Sequence, residues 1–216
     1  MPTAIYLLSP TPKEGTISLP MIDFAITAES IDFSHSDTLM FTSKQAVVTA
    51  DKIDSSWKNY PCVAIGPATK KQIEDLGGKV IYYPKSFYGE TLSHDISQFF
   101  SDKKLLYLRP KEISFDSKGF LEKEGITLQE QIIYETSCIQ YLHKEKPLKN
   151  AIIIFTSPST IHCFLKNFEW DESYTAVVIG KATKVHLPAD AAYVVADAPL
   201  ISSCIEKAEE IENSSF

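Results

Sequence analysis

Short apolar runs, each closed by a small polar residue or a glycine, recur along the chain. "TLMF", "CVAIG", "KLLYLRP", "AIIIF" and "AVVIG" are too short and too continuous for amphipathic helices. They read as buried strands of parallel sheets, where both faces are covered and apolar positions need not alternate. "AIYLLSP" and "TISLPMIDF" predict two strands near the N-terminus with only a short loop between them, and "ITLQEQIIYETS" predicts one long strand. "KQAVVTADKI", "PATKKQIEDLGG", "GETLSHDISQFFS", "FDSKGFLEKEG", "STIHCFLKNF" and "LISSCIEKAEEIE" read as helices. "KATKVHL" starts one more, which Pro188 keeps short. The tail "NSSF" is expected to fray. Strands alternating with helices place the chain in the α/β class, with parallel sheets flanked by helices.

Part of this pattern occurs twice. Shifted by 114 positions, residues 41–70 fall on 155–184 without a gap, and eleven of thirty positions are identical. Chance gives roughly two, so the chain carries an internal repeat. Phe41-Thr42-Ser43 matches Phe155-Thr156-Ser157, and Gly66-x-Ala68-Thr69 matches Gly180-x-Ala182-Thr183. Each triplet closes a strand, and Ser43 and Ser157 stand where a helix N-cap belongs. Pro158 follows at the first helical position, where its missing N–H costs nothing. The repeat predicts two similar lobes, and by sequence alone the duplication splits near residue 102.

Composition narrows the function. The 216 residues allow one large domain or two small ones. A net charge of −7 argues against nucleic acid as a partner. No apolar run approaches the roughly 20 residues a membrane helix needs. "MPTAIYLLSPTPKEG" lacks the basic leader and long apolar core of a signal peptide, so the expected location is cytoplasmic. Cys62, Cys138, Cys163 and Cys204 form no C-x-x-C pair and are expected as reduced, mostly buried thiols. The five histidines show no ligand spacing, so no metal is expected. Nucleotide-binding glycine motifs and a G-x-S-x-G elbow are missing too.

Ligands of open parallel sheets bind beyond the carboxyl ends of the strands, where the triplets and the Gly-x-Ala-Thr turns both lie. Helix N-termini with Ser and Thr hydroxyls hold anions without needing lysine or arginine. That suits an acidic protein with an acidic ligand. The same residues are what caps and turns require, and the sequence leaves both uses open. Arg109, the only arginine, follows a strand and either forks onto a ligand carboxylate or is a surface charge. Tyr134 closes a long apolar strand and either serves the ligand or packs at a lobe boundary.

"FTSKQAV", "AIGPATKKQIEDLG", "LYLRP", "QIIYET", "IIIFTSPST", "VIGKATKV" and "ADAPLISSCIEKA" together resemble the uroporphyrinogen-III synthase family. They stand in the family's order and cover nearly the whole chain. The resemblance implies a discontinuous domain of residues 1–24 plus 139–216 and a second domain of 28–131. Two strand-like connectors, near 20–27 and 132–138, would join them, with a ligand cleft between mobile lobes. It implies cyclisation of hydroxymethylbilane, a linear tetrapyrrole rich in carboxylates, to uroporphyrinogen III with ring D inverted and water lost, without a cofactor. It implies Tyr134 as the catalytic group. The substrate-binding set would be Thr42, Ser43, Gly66, Thr69, Arg109, Thr156, Ser157, Ser159, Gly180, Lys181 and Thr183. A monomer is expected, with transient contact with the preceding pathway enzyme. Ser9 and Pro10 stand where the family carries an arginine, and "SPTPKEG" leaves no room for the helix that usually follows the first strand. Two other readings stay open: a non-catalytic, two-lobed binding protein for a small acidic ligand, and an isomerase-like protein holding a sugar phosphate.

Overall fold

A computed structural model describes residues 3–214. In chain order the elements are β1 (Ile5–Leu7), β2 (Ile17–Ser18), β3 (Ile22–Ile26), β4 (Thr38–Phe41), α1 (Lys44–Ile53), β5 (Pro61–Ala64), α2 (Pro67–Asp75), β6 (Lys79–Tyr82) and α3 (Gly89–Phe99). There follow β7 (Leu105–Pro110), α4 (Ser117–Lys123), β8 (Leu128–Cys138), β9 (Ile152–Phe155), α5 (Pro158–Asn167), β10 (Thr175–Val178), α6 (Lys181–Lys184), β11 (Ala192–Val195) and α7 (Ile201–Ser214). Two 3₁₀ turns, Ser55–Asn59 and His143–Glu145, complete the order among the described residues.

The strands form two sheets. One runs β11-β10-β9-β1-β2, the other β3-β8-β7-β4-β5-β6. By contact density the chain divides into a unit of Met1–Asp23 with Ser137–Phe216 and a unit of Phe24–Thr136. The central strands of each sheet are buried, β4 and β9 at every position. Helices on both faces account for this: in the six-stranded sheet, Leu39, Phe41, Leu106 and Leu108 pack with Val47 and Trp57, while Met40, Val63 and Tyr107 pack with Leu92 and Ile96. The α/β class with helix-flanked parallel sheets is as the pattern predicts.

Three expectations need correction. "TISLPMIDF" is two strands, because Pro20 has no N–H for a ladder; β2 joins one sheet and β3 the other. Asn213 and Ser214 of the tail belong to α7, and Ser215 and Phe216 lie outside the described residues. Cys138 and Cys163 are joined in a disulfide, and only Cys62 and Cys204 are free among the described cysteines. Burial pushes the Cys62 thiol up to about 12 and that of Cys204 up to about 11, so neither is a ready nucleophile. β6 and β11, one edge strand of each sheet, are not predicted by the apolar pattern because their faces are half-exposed and their runs are short. Between β1 and β2 the chain crosses through residues 8–16 without a helix.

Candidate active site

In the unit of residues 24–136, β4 delivers Thr42 and Ser43 to its carboxyl end. Ser43 caps α1, its Oγ accepting from the Ala46 N–H at 3.0 Å. The same oxygen lies 2.9 Å from the Tyr134 hydroxyl. Thr42 Oγ1 lies 2.6 Å from the Tyr107 hydroxyl. Tyr107 and Tyr134 belong to the apolar clusters on opposite faces of the sheet. They therefore close on consecutive residues from the two sides.

Burial drives both phenols toward the neutral form. It pushes Tyr107 up to about 12 and raises Tyr134 above its ordinary value. For each, the hydroxyl partner, Thr42 or Ser43, works in the opposite sense. Phe24 meets the Tyr134 ring edge-on at 5.8 Å. Tyr134 is thus a held, water-poor, protonated hydroxyl; it does not close its strand as expected, because β8 runs on to Cys138.

Arg109 is largely engaged. Its Nη1 donates to the carbonyls of Pro110 at 2.9 Å and Lys111 at 3.1 Å. Its Nε stands 3.2 Å from Glu130 Oε1, close enough for an ion pair but not aligned as a hydrogen bond. Among the described residues, neither Nε nor Nη2 makes a hydrogen bond.

The glycine turns differ in what surrounds them. Gly66 caps α2, with Pro67 at the first helical position. A Cβ on Gly66 would meet the Phe87 ring at 3.0 Å, whereas a Cβ on Gly180 would meet nothing within 4 Å. Thr69 and Thr183 are buried at matching places, and no side-chain hydrogen bond engages either hydroxyl among the described residues. The matched Lys70 and Lys184 each place Nζ over a tyrosine ring, Tyr83 at 5.3 Å and Tyr193 at 4.9 Å. Sequence reading missed both pairs, although the repeat already aligns the lysines.

In the unit that holds the C-terminal third, Ser157 caps α5, its Oγ accepting from the Thr160 N–H at 3.3 Å. Thr160 Oγ1 bonds back to the Ser157 backbone. Thr156 and Ser159 have no side-chain partner among the described residues, and Ser159 and Lys181 are exposed. A cavity of about 520 Å³, lined by His35, Lys103, Lys104 and Gln129 among others, opens at the amino ends of β7 and β8 and contains none of these groups. The groups described above stand at the opposite strand ends, where parallel sheets generally bind ligands.

The sequence profile of uroporphyrinogen-III synthase HemD matches residues 15–206. The chain belongs to the uroporphyrinogen-III synthase family. The Helicobacter pylori 26695 uroporphyrinogen-III synthetase superposes with a TM-score of 0.80 at 27% identity, over 97% of this chain and 99% of that one. A mutant uroporphyrinogen III synthase from the extremely thermophilic bacterium Thermus thermophilus shares the fold, with a TM-score of 0.62 at 10% identity over 99% and 100% of the two chains. No curated protein matches the chain. The activity is that of a cyclising lyase of tetrapyrrole biosynthesis, converting hydroxymethylbilane to uroporphyrinogen III with inversion of ring D and loss of water. Nothing in these matches favours a non-catalytic binding protein. Among the described residues no helix is long and apolar enough to cross a membrane.

Proposed function

We propose that Tyr134 is the general acid of this reaction and that the strand-end turns hold the substrate's carboxylates. The observation that carries the reading is the Tyr134 hydroxyl, buried where the β7–β8 pairing ends and hydrogen-bonded, among the described residues, only to Ser43. Hydroxide is a poor leaving group, and a neutral phenol supplies the proton that lets it depart as water. The C–O bond breaks and the bilane becomes an azafulvene. Ring D attacks through its substituted carbon to a spiro intermediate, which reopens and closes at the unsubstituted carbon. The proton released there as ring D regains aromaticity returns to the Tyr134 phenolate.

The hydroxyls of Thr69, Thr156, Ser157, Ser159 and Thr183, the backbone at Gly66 and Gly180, Lys181 and the free Nη2 of Arg109 take the acetate and propionate groups. Thr42 and Ser43 stand at the same strand ends, with their hydroxyls turned to tyrosines. Orientation is the enzyme's main contribution, because the bilane also closes unaided to the uninverted isomer. On this reading residues 1–24 with 139–216 and residues 28–131 are the two domains, and 20–27 and 132–138 are their connectors. A hydrogen bond from Thr27 N–H to Ile133 O, which pairs the connectors, and one from Ile139 N–H, just past the second connector, to Met21 O support this. The protein works in the cytoplasm as a monomer without a cofactor, meeting the enzyme that supplies the labile bilane only transiently.

The test is incubation with hydroxymethylbilane after dialysis against a chelator, followed by oxidation and separation of the isomers. Uroporphyrin III is the expected product. Uroporphyrin I alone, or activity that returns only with an added metal or nucleotide, overturns the reading.

A further inference from the structure

The two copies of the Phe-Thr-Ser triplet are not equivalent, and strand register shows why. Met40 pairs with Tyr107 in the β4–β7 ladder, and its repeat partner Ile154 pairs with Leu7 in the β9–β1 ladder. Leu7 therefore holds the place of Tyr107, and "LLSP" at 7–10 stands where "YLRP" stands at 107–110. Leucine has no hydroxyl to offer Thr156. Among the described residues no tyrosine bonds to Ser157 either, whereas Ser43 meets Tyr134 at 2.9 Å. One triplet is turned onto two phenols, whereas in the other Ser157 caps α5 and Thr156 has no side-chain partner among the described residues.

From this geometry we infer that Ser43 is a positioning residue for Tyr134, donating its hydroxyl hydrogen to the phenolate oxygen that remains once Tyr134 has given up its proton. The inference rests on Tyr134 being the acid. The N-cap bond makes the direction specific. Ser43 Oγ already accepts from the Ala46 N–H at 3.0 Å, which anchors the oxygen and leaves its one hydrogen free to point at Tyr134. In the resting enzyme the pair exchanges roles freely, because either oxygen can donate. Once the Tyr134 proton has gone to the leaving hydroxyl, only Ser43 can donate, and a hydrogen bond to an anion is about twice as strong as a neutral one. No bond to carbon is made or broken by Ser43; its proton stays on Oγ throughout. The charged groups nearby, Arg109 and Glu130, act on Tyr107, as does Tyr134. For Tyr134 itself burial and Ser43 are the two influences.

The test replaces Tyr134 with a fluorinated tyrosine, whose lower intrinsic pKa brings its titration into a range the fold tolerates, and follows it by fluorine NMR. Ser43→Gly keeps a competent N-cap residue but removes the donor. It is expected to raise the probe's pKa by about one unit, and Ser43→Thr is expected to restore it. Thr42→Val, which loses its contact with Tyr107 instead, is expected to leave it unmoved. In the unlabelled enzyme Ser43→Gly is expected to lower kcat about tenfold with KM unchanged. An unmoved pKa in Ser43→Gly, an equal shift in Thr42→Val, or a raised KM with normal kcat each overturns the inference. Failure of the wild-type protein to make the inverted isomer would instead overturn the functional reading, and the titration would still report on the Ser43 bond.

Discussion

Substitution of Gly180 by alanine separates binding from folding more cleanly than any other change at these turns. Gly180 is the N-cap of α6 with φ 179° and ψ 173°, an extended conformation open to any residue. The added methyl would meet no protein atom within 4 Å. Alanine is a poorer N-cap than glycine but loses less chain entropy on folding; the two effects oppose, and stability is expected to stay within about 1 kcal/mol of wild type. The open space is where a substrate carboxylate would approach the turn. Loss of one hydrogen bond to a charged group costs about 1.5–3 kcal/mol. That converts to roughly ten- to a hundredfold in kcat/KM, carried mainly by KM. The assay is steady-state cyclisation of hydroxymethylbilane beside a urea unfolding curve. At Gly66 the same change presses on the Phe87 ring at 3.0 Å, so a stability loss is expected there in addition. Unchanged kcat/KM in a stably folded Gly180→Ala protein would refute the reasoning and leave the turn a purely structural device.

Four further outcomes are expected. Tyr134→Phe keeps the packed ring and removes only the hydroxyl; kcat should fall roughly ten- to a hundredfold, at the low end for a general acid because the pyrrole nitrogen already helps expel the hydroxyl. Its product should remain mainly the inverted isomer by chromatography, and a loss below twofold would mean that water or the substrate supplies the proton. Thr69→Val with Thr183→Val should lower kcat/KM about tenfold or more with the thermal midpoint nearly unchanged; normal kinetics in the double variant would return both residues to a packing role. Thiol titration in denaturant without reductant should count two thiols, Cys62 and Cys204, and four after reduction, because Cys138 and Cys163 are joined; such a bond is uncommon in the cytosol, so protein isolated under reducing conditions should show all four. Tyr107, buried and raised to about 12, favours folding while neutral; its contribution is complete below pH 10 and lost between about pH 10 and 12, about 3 kcal/mol in all, so urea curves at pH 11 should show a smaller alkaline loss for Tyr107→Phe than for wild type.

The elements that sequence resolved are those governed by short-range geometry. α1 occupies Lys44–Ile53, the span of "KQAVVTADKI", because a serine oxygen reaching an N–H three residues on is a local event. Pro158 at the start of α5 and the four-residue α6 ahead of Pro188 follow from backbone chemistry alone. The repeat likewise marked both triplets as strand ends. Other features depended on which strands became neighbours. Tyr107 lies 65 residues from Thr42 along the chain and reaches it only because β7 pairs with β4 in one particular register. The Cys138–Cys163 bond spans 25 residues and joins a strand end to a helix. Arg109, which the sequence leaves as either a fork onto a ligand carboxylate or a surface charge, is paired with Glu130 from the adjacent strand β8. Identical triplets thus acquire different partners because a side chain's own sequence sets its reach and capping, while register and strand order set what stands opposite it. That is how Leu7 takes, in one sheet, the place that Tyr107 takes in the other.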